Sequence, residues 1–212
     1  MRDDDHLMSR RGFGGSAIAT AALLAAGAAR AAEIKPMTPD QAMGPFYPIQ
    51  RLAETDADMT WIKGHRNRAK GTVIEVTGRV LDRYGHPVSG AKLELWQCNA
   101  AGRYAHPNDV ATAPLDPDFQ GFAAIATGKQ GEWRITTIKP AGYDSPIGHR
   151  TSHIHFQVSG RTQRLITQMY FPEEEATNAK DALYKEMGGD ALRAVARADG
   201  VARYSWDIVL MG

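Results

Sequence analysis

One cysteine, Cys98, stands in 212 residues. No internal disulfide can form, so stability must come from a packed core and from bound ligands rather than covalent cross-links. Neither sign of charge dominates: 25 basic residues against 24 acidic ones leave a formal net charge of +1, with no basic tract. That balance lacks the electrostatic footprint of a nucleic-acid binder. After residue 40 there is no internal repeat, low-complexity tract or linker to a second domain. What is present, 43% hydrophobic and 23% charged residues, describes one globular domain able to bury a core.

The first thirty residues read as a separate device. Ser9-Arg10-Arg11-Gly12-Phe13 precedes an uncharged, alanine-rich run from Gly14 to Ala29, which ends in Ala29-Arg30-Ala31. The run falls short of the roughly 20 apolar residues a membrane span needs. We therefore expect a twin-arginine export signal over residues 1–31, no stable membrane anchor, and a mature protein in the periplasm or outside the cell. A short anchor or an amphipathic helix is the competing reading. Asp3, Asp4 and Asp5 depart from a purely basic leader but lie before the arginine pair.

Beyond the leader, residues 32–71 are expected to form an extended arm and residues 72–212 a mainly β domain. Runs at 72–81, 92–97, 133–138, 153–158, 165–171 and 204–210 are rich in β-branched and aromatic residues and set off by Gly, Pro, Asp and Asn. Arg83-Tyr84-Gly85-His86-Pro87 is a turn between the first two. Helices are expected at 173–187 and 190–198, separated by Gly188-Gly189 as a break. Strands so closely spaced predict a β-sandwich with a site on loops and strand ends, followed by two short helices.

The candidate site centres on His153-Ile154-His155. Alternate side chains of a strand share a face, so the two histidines point the same way with Cα atoms roughly 6.5 to 7 Å apart, a span two imidazoles can close around one ion. Two satisfied polar residues at a strand end would look the same. Upstream, Tyr104 and Tyr143 each sit in a Gly- or Pro-punctuated loop, and Arg150 lies three residues before His153.

The stretches carrying these residues resemble a known family. They are Gly44-Pro45-Phe46-Tyr47-Pro48, Leu95-Trp96-Gln97-Cys98-Asn99 through Gly102-Arg103-Tyr104, and Ala113-Pro114-Leu115-Asp116-Pro117-Asp118-Phe119. Thr137-Ile138-Lys139-Pro140, the His-Ile-His-Phe core, Leu165-Ile166-Thr167-Gln168-Met169-Tyr170-Phe171 and Asp207-Ile208-Val209-Leu210 follow in order. The set resembles the intradiol ring-cleavage dioxygenases, in particular the iron-bearing chain of their protocatechuate branch. The resemblance implies Tyr104, Tyr143, His153 and His155 as iron ligands, with Tyr104 and His155 equatorial and Tyr143 and His153 axial. It also implies that Tyr143 acts as a base when substrate displaces it, that Arg150 is an active-site charge, and that Gln168 and Tyr47 belong to the substrate pocket. Catechol-type molecules and O2 are the implied substrates, with a second copy or an iron-free partner chain completing the pocket.

The chemistry makes independent sense of the residue types. Tyrosine, with a pKa of about 10, becomes a phenolate at neutral pH only beside a strongly acidic metal. Two phenolates and two imidazoles form a hard, anionic donor set that suits ferric iron better than zinc or copper(I). A rival from another class is a transthyretin-like binding module, since Val76-Thr77-Gly78-Arg79-Val80 through Pro87-Val88-Ser89-Gly90-Ala91 resembles the opening hairpin of such domains. Asp144-Ser145-Pro146 stands where protocatechuate enzymes carry a tryptophan, which leaves catechol, hydroxyquinol and carboxylated or alkylated catechols open as substrates.

Overall fold

The computed structural model describes residues 34–50 and 54–211. The expected export signal lies outside the described residues. In chain order the strands and α-helices are β1 (Val73–Asp82), β2 (Lys92–Trp96), β3 (Phe122–Ala126), β4 (Glu132–Ile138), β5 (Tyr143–Ser145), β6 (Gly148–Arg150), β7 (His153–Ser159), β8 (Arg164–Tyr170), α1 (Glu175–Asn178), α2 (Ala182–Glu186), β9 (Arg197–Ala198), β10 (Arg203–Ser205) and β11 (Ile208–Leu210). Two sheets carry the architecture. One is four-stranded and antiparallel in the order β3-β2-β7-β8; the other gathers β4, β10 and β11 around β1, with β9 beyond β10. A separate hairpin pairs β5 with β6.

Alternation on the strands explains the core. Leu93 and Leu95 of β2 and Ile154, Phe156 and Val158 of β7 share one apolar cluster with Val76, Val80, Ile135 and Ile208 from the other sheet. The mainly β sandwich therefore stands as expected from period-two patterning. The opposite face of β7 is buried as well, because His153 and His155 lie beneath other parts of the chain. Among those parts is the segment at residues 34–50, which forms no strand or helix. It lies along both sheets, with Thr38 N donating to Val209 O and Gln41 N to Ile166 O.

Several expected elements differ. The run at 204–210 is two strands, β10 and β11, which follow one edge of β1 in the same parallel register and are interrupted at Trp206-Asp207. A Cβ on Gly78 would stand 1.8 Å from Trp206 O, and Arg79 N bonds Asp207 Oδ1 instead of a strand partner. The helix expected at 173–187 is a 3-10 turn (Pro172–Glu174) followed by α1 and α2. The buried side chains of Asn178 and Asp181 interrupt it, Asp181 taking extended backbone geometry as the cap of α2. The helix expected at 190–198 is a 3-10 segment, Gly188–Ala194, and then β9. Gly188-Gly189, expected as a break, opens that segment, and Ala196 N is drawn to Tyr170 O at the end of β8. Besides β9, three strands were not expected: alanine-rich β3 and the short, polar β5 and β6.

Candidate metal centre

Register across the four-stranded sheet builds the first half of the site. His155 is the Cα partner of Trp96 on one side and of Gln168 on the other, and His153 pairs with Tyr170. Trp96 stacks flat against His155, with ring centroids 4.8 Å apart and planes at 6°. His153 Nδ1 donates to Thr151 O at 2.6 Å, which leaves its Nε2 with the lone pair. The two histidine Nε2 atoms are 3.2 Å apart. Nitrogens each about 2.1 Å from one ion and cis to each other would be separated by about 3 Å.

Two loops bring in the tyrosines. The loop after β2 is folded on Asn99, whose Oδ1 accepts from Ala101 N and Arg103 N, and Tyr104 N is held by Asp109 Oδ2 at 2.7 Å. Gly102 has φ +78, and a Cβ there would stand 2.9 Å from Gly142 O. Only glycine lets the Tyr104 loop approach the Tyr143 strand so closely. The rings close a circuit: Tyr104 to Tyr143 is 5.5 Å between centroids, Tyr143 to His153 5.8 Å, His153 to His155 4.8 Å, and His155 to Tyr104 6.3 Å.

This circuit is buried and short of partners. Tyr104 Oη and His155 Nδ1 are enclosed without any hydrogen bond, an uncommon condition for buried polar atoms. Burial pushes the Tyr104 hydroxyl well above its ordinary pKa, and neighbouring Tyr143 adds to the effect. Burial likewise pushes Tyr143 up to about 12, although Arg150 pulls it back. Burial and Arg150 lower His153 to about 3, and burial and His153 drive His155 well below the usual imidazole range. The imidazoles are thus neutral, and the phenols stay protonated unless a strong positive charge lies beside them. Among the described residues no three His, Cys, Asp or Glu side chains gather to hold a metal. Beside the two histidines, the rings that carry a further donor oxygen are those of Tyr104 and Tyr143.

Arg150 and Tyr143 are Cα partners across the β5–β6 hairpin. Arg150 is buried; Nε donates to Asp181 Oδ2 at 2.9 Å and Nη2 to Gln168 Oε1 at 2.6 Å. Burial works against its charge, but Asp181, Tyr143 and Tyr170 together hold the pKa above the ordinary value. Gln168 is fully buried and committed to the protein, since its Nε2 also donates to Ala42 O. It touches Arg150 rather than lining open space.

Tyr47 stands apart from the tetrad. Its hydroxyl donates to Glu94 Oε2 at 3.0 Å, and its ring meets Trp96 edge-on at 5.1 Å. Its neighbour Phe46 is the residue that stacks on Tyr104, at 4.4 Å, while Gly44 lies under His155 with room for no more than contact at 3.4 Å. Sequence reasoning missed Phe46, Gly44 and Asp181. The first two lie in the Gly-Pro-Phe-Tyr-Pro stretch that marked Tyr47. Asp181 carries no local signal, because its partner Arg150 is 31 residues away.

The family profile described as Dioxygenase matches residues 42–212. The chain is 39% identical over 181 residues to the beta chain of protocatechuate 3,4-dioxygenase from Burkholderia cepacia, covering 79% of this chain and 77% of that one. It is 30% identical over 194 residues to the alpha chain of the enzyme from Pseudomonas putida, covering 85% and 94%. Among solved structures, the dioxygenase domain of a carbohydrate-binding fusion from Streptomyces sp. SirexAA-E matches at 27% identity and TM-score 0.62, covering 82% of this chain and 98% of that one. The intradiol ring-cleavage dioxygenase of Tetranychus urticae shares the fold at TM-score 0.64 and 18% identity, covering 82% and 94%. Relatives that are enzymes decide against the binding-module reading, and the chain belongs to the intradiol ring-cleavage dioxygenases.

Proposed function

We propose that Tyr104, Tyr143, His153 and His155 hold one ferric iron, and that the chain uses O2 to open a catechol-type ring between its two hydroxylated carbons, giving a cis,cis-muconate. The observation that carries this reading is the pair of histidine Nε2 atoms 3.2 Å apart beside the buried, partnerless Tyr104 hydroxyl. Held by these four residues, ferric iron would supply the Lewis acidity that activates a catechol ring toward O2.

The chain's own groups supply the rest. Tyr143 Oη, raised to about 12 by burial, is a strong base once ionised, and takes one of the two protons a catechol must lose. Arg150, opposite Tyr143 on the hairpin, presents a fixed positive charge where negative charge builds on the substrate. Asp181 and Gln168 prevent that guanidinium from swinging away. Phe46 and Trp96 shield the ligand rings from water.

Catechol, hydroxyquinol and carboxylated catechols all remain in the proposed substrate class. Relatives include a hydroxyquinol 1,2-dioxygenase from a Rhizobium strain, 33% identical over 120 residues, and a catechol 1,2-dioxygenase from Candida albicans, 36% identical over 124. A second copy or a partner chain would complete the pocket mouth, in line with the alpha and beta chain relatives. Export through the Arg10-Arg11 signal belongs to the same reading; changing both to Lys should trap precursor in the cytoplasm, and unchanged export would refute it.

The deciding experiment is oxygen uptake by purified ferric protein over a catechol panel, with product mass. A muconate carrying both atoms of labelled O2 is expected. Yellow semialdehydes, from cleavage beside the diol, would overturn the proposal.

A further inference from the structure

Asp181 is fully buried in a loop between two short helices, where a long helix was expected from the sequence. Its carboxylate accepts four hydrogen bonds. Oδ2 takes Arg150 Nε at 2.9 Å and Thr151 N at 3.0 Å, and Oδ1 takes Leu183 N at 2.9 Å and Tyr184 N at 3.2 Å. Those four donors fill the lone-pair sites of an ionised carboxylate. Its bonds lead toward the site along two routes. The first is the Arg150 guanidinium, fixed by Asp181 on one side and Gln168 on the other. The second is the Thr151 peptide: Asp181 holds its N–H, and its carbonyl accepts from His153 Nδ1 at 2.6 Å. A helix cap alone would need only Oδ1.

We infer that Asp181 is a positioning residue for the metal centre, fixing through one carboxylate both the Arg150 charge and, through the Thr151 peptide, the ring orientation and tautomer of His153. The inference rests on the proposed roles of Arg150 and His153. Partners behind a ligand commonly decide metal retention or activity by 10- to 100-fold. Asp181 also ties the site to α2, so the hairpin bearing Tyr143 and Arg150, the strand bearing both histidines and the helix that follows share one anchor.

Asp181→Asn separates this role from capping. Asparagine caps helices as well as aspartate does, so its oxygen keeps Leu183 N and Tyr184 N. Its amide NH2 then faces Arg150 Nε–H and Thr151 N–H, donor against donor. The full-length ferric protein is compared with Asp181→Asn, Arg150→Gln and the double variant by kcat and KM on the best catechol, by loss of visible absorbance as a hydroxamate chelator removes iron, and by apo-protein Tm. For Asp181→Asn, kcat should fall about tenfold or more with KM within about threefold, and iron release should quicken about tenfold. Once Arg150 is Gln, adding Asp181→Asn should leave kcat within about twofold yet still quicken iron release. That last pair keeps the inference testable if Asp181→Asn alone fails to fold, because the double variant leaves no unpaired buried charge. A lowered Tm with kcat and iron release unchanged would reduce Asp181 to a cap and overturn the inference. Effects on kcat that multiply in the double variant would refute the route through Arg150. If the wild type opens no catechol, the functional reading fails on its own, while iron release still tests the route to His153.

Discussion

Two buried polar clusters lie side by side on the outer face of the four-stranded sheet, and their hydrogen bonding differs. In the cluster of Arg150, Asp181, Gln168 and Tyr170, the guanidinium, carboxylate and amide are paired, and Tyr170 Oη reaches Gln41 Oε1 at 3.0 Å. In the cluster of Tyr104, Tyr143, His153 and His155, a phenol oxygen and a ring nitrogen have no partner, and two imidazole nitrogens face each other. Leaving buried polar atoms unpaired costs stability. The first cluster is satisfied within the protein, and the second is the set of side chains proposed to hold the ion.

Removing a donor should break the contrast most severely. His155→Ala should leave purified protein nearly free of iron and colour, measured by metal assay and visible spectrum; full iron content would mean that the tetrad is not the site. Next comes the scaffold. Asp181→Ala strands a buried guanidinium and should cost about 3–5 kcal/mol in urea unfolding, whereas replacing both Arg150 and Asp181 by apolar residues should recover most of it.

Arg150→Ala should retain iron while lowering kcat by roughly 10², the size expected when one preorganised donor is lost. Arg150→Lys should recover little, because a flexible ammonium does not reproduce the planar fork. A rise in KM at constant kcat would instead mark Arg150 as a substrate clamp.

Proton release distinguishes the clusters by pH. Both tyrosines are shifted upward, Tyr143 to about 12, so both are protonated at neutral pH. Both histidines are shifted downward, His153 to about 3, so both are neutral and can ligate through a free ring nitrogen without releasing a proton. Iron binding should release two protons, and apparent affinity should rise about a hundredfold per pH unit near neutrality. A competition titration against a chelator at several pH values reads this slope. The smallest effect belongs to Tyr47→Phe, which loses one bond to Glu94 outside both clusters. We expect about 1 kcal/mol of stability and little change in turnover.

How far each cluster could be read from sequence follows the same division. The histidines announce themselves through a period-two spacing, and the tyrosines through ordered motifs around them. Strands β1, β2, β4, β7 and β8 were legible because β-branched and aromatic residues alternate against Gly and Pro. Strand β3 was not, because Phe122-Ala123-Ala124-Ile125-Ala126 is mostly alanine, and its pairing with β2 is a tertiary effect. The hairpin of β5 and β6 reads as a loop, since Asp144-Ser145-Pro146 and Gly148-His149 are turn formers. Asp181 was hidden for a deeper reason. Within a helix-like run it looks like an exposed acid, and only the fold brings Arg150 to it across 31 residues.

Whether the unsatisfied cluster is a ferric site made with tyrosine oxygens is read by titrating metal-free protein with ferric iron while recording the visible spectrum. A tyrosinate charge-transfer band should saturate at about one iron per chain and be weakened in both Tyr104→Phe and Tyr143→Phe. An active protein that saturates with zinc and stays colourless, or a band indifferent to both tyrosines, would contradict it.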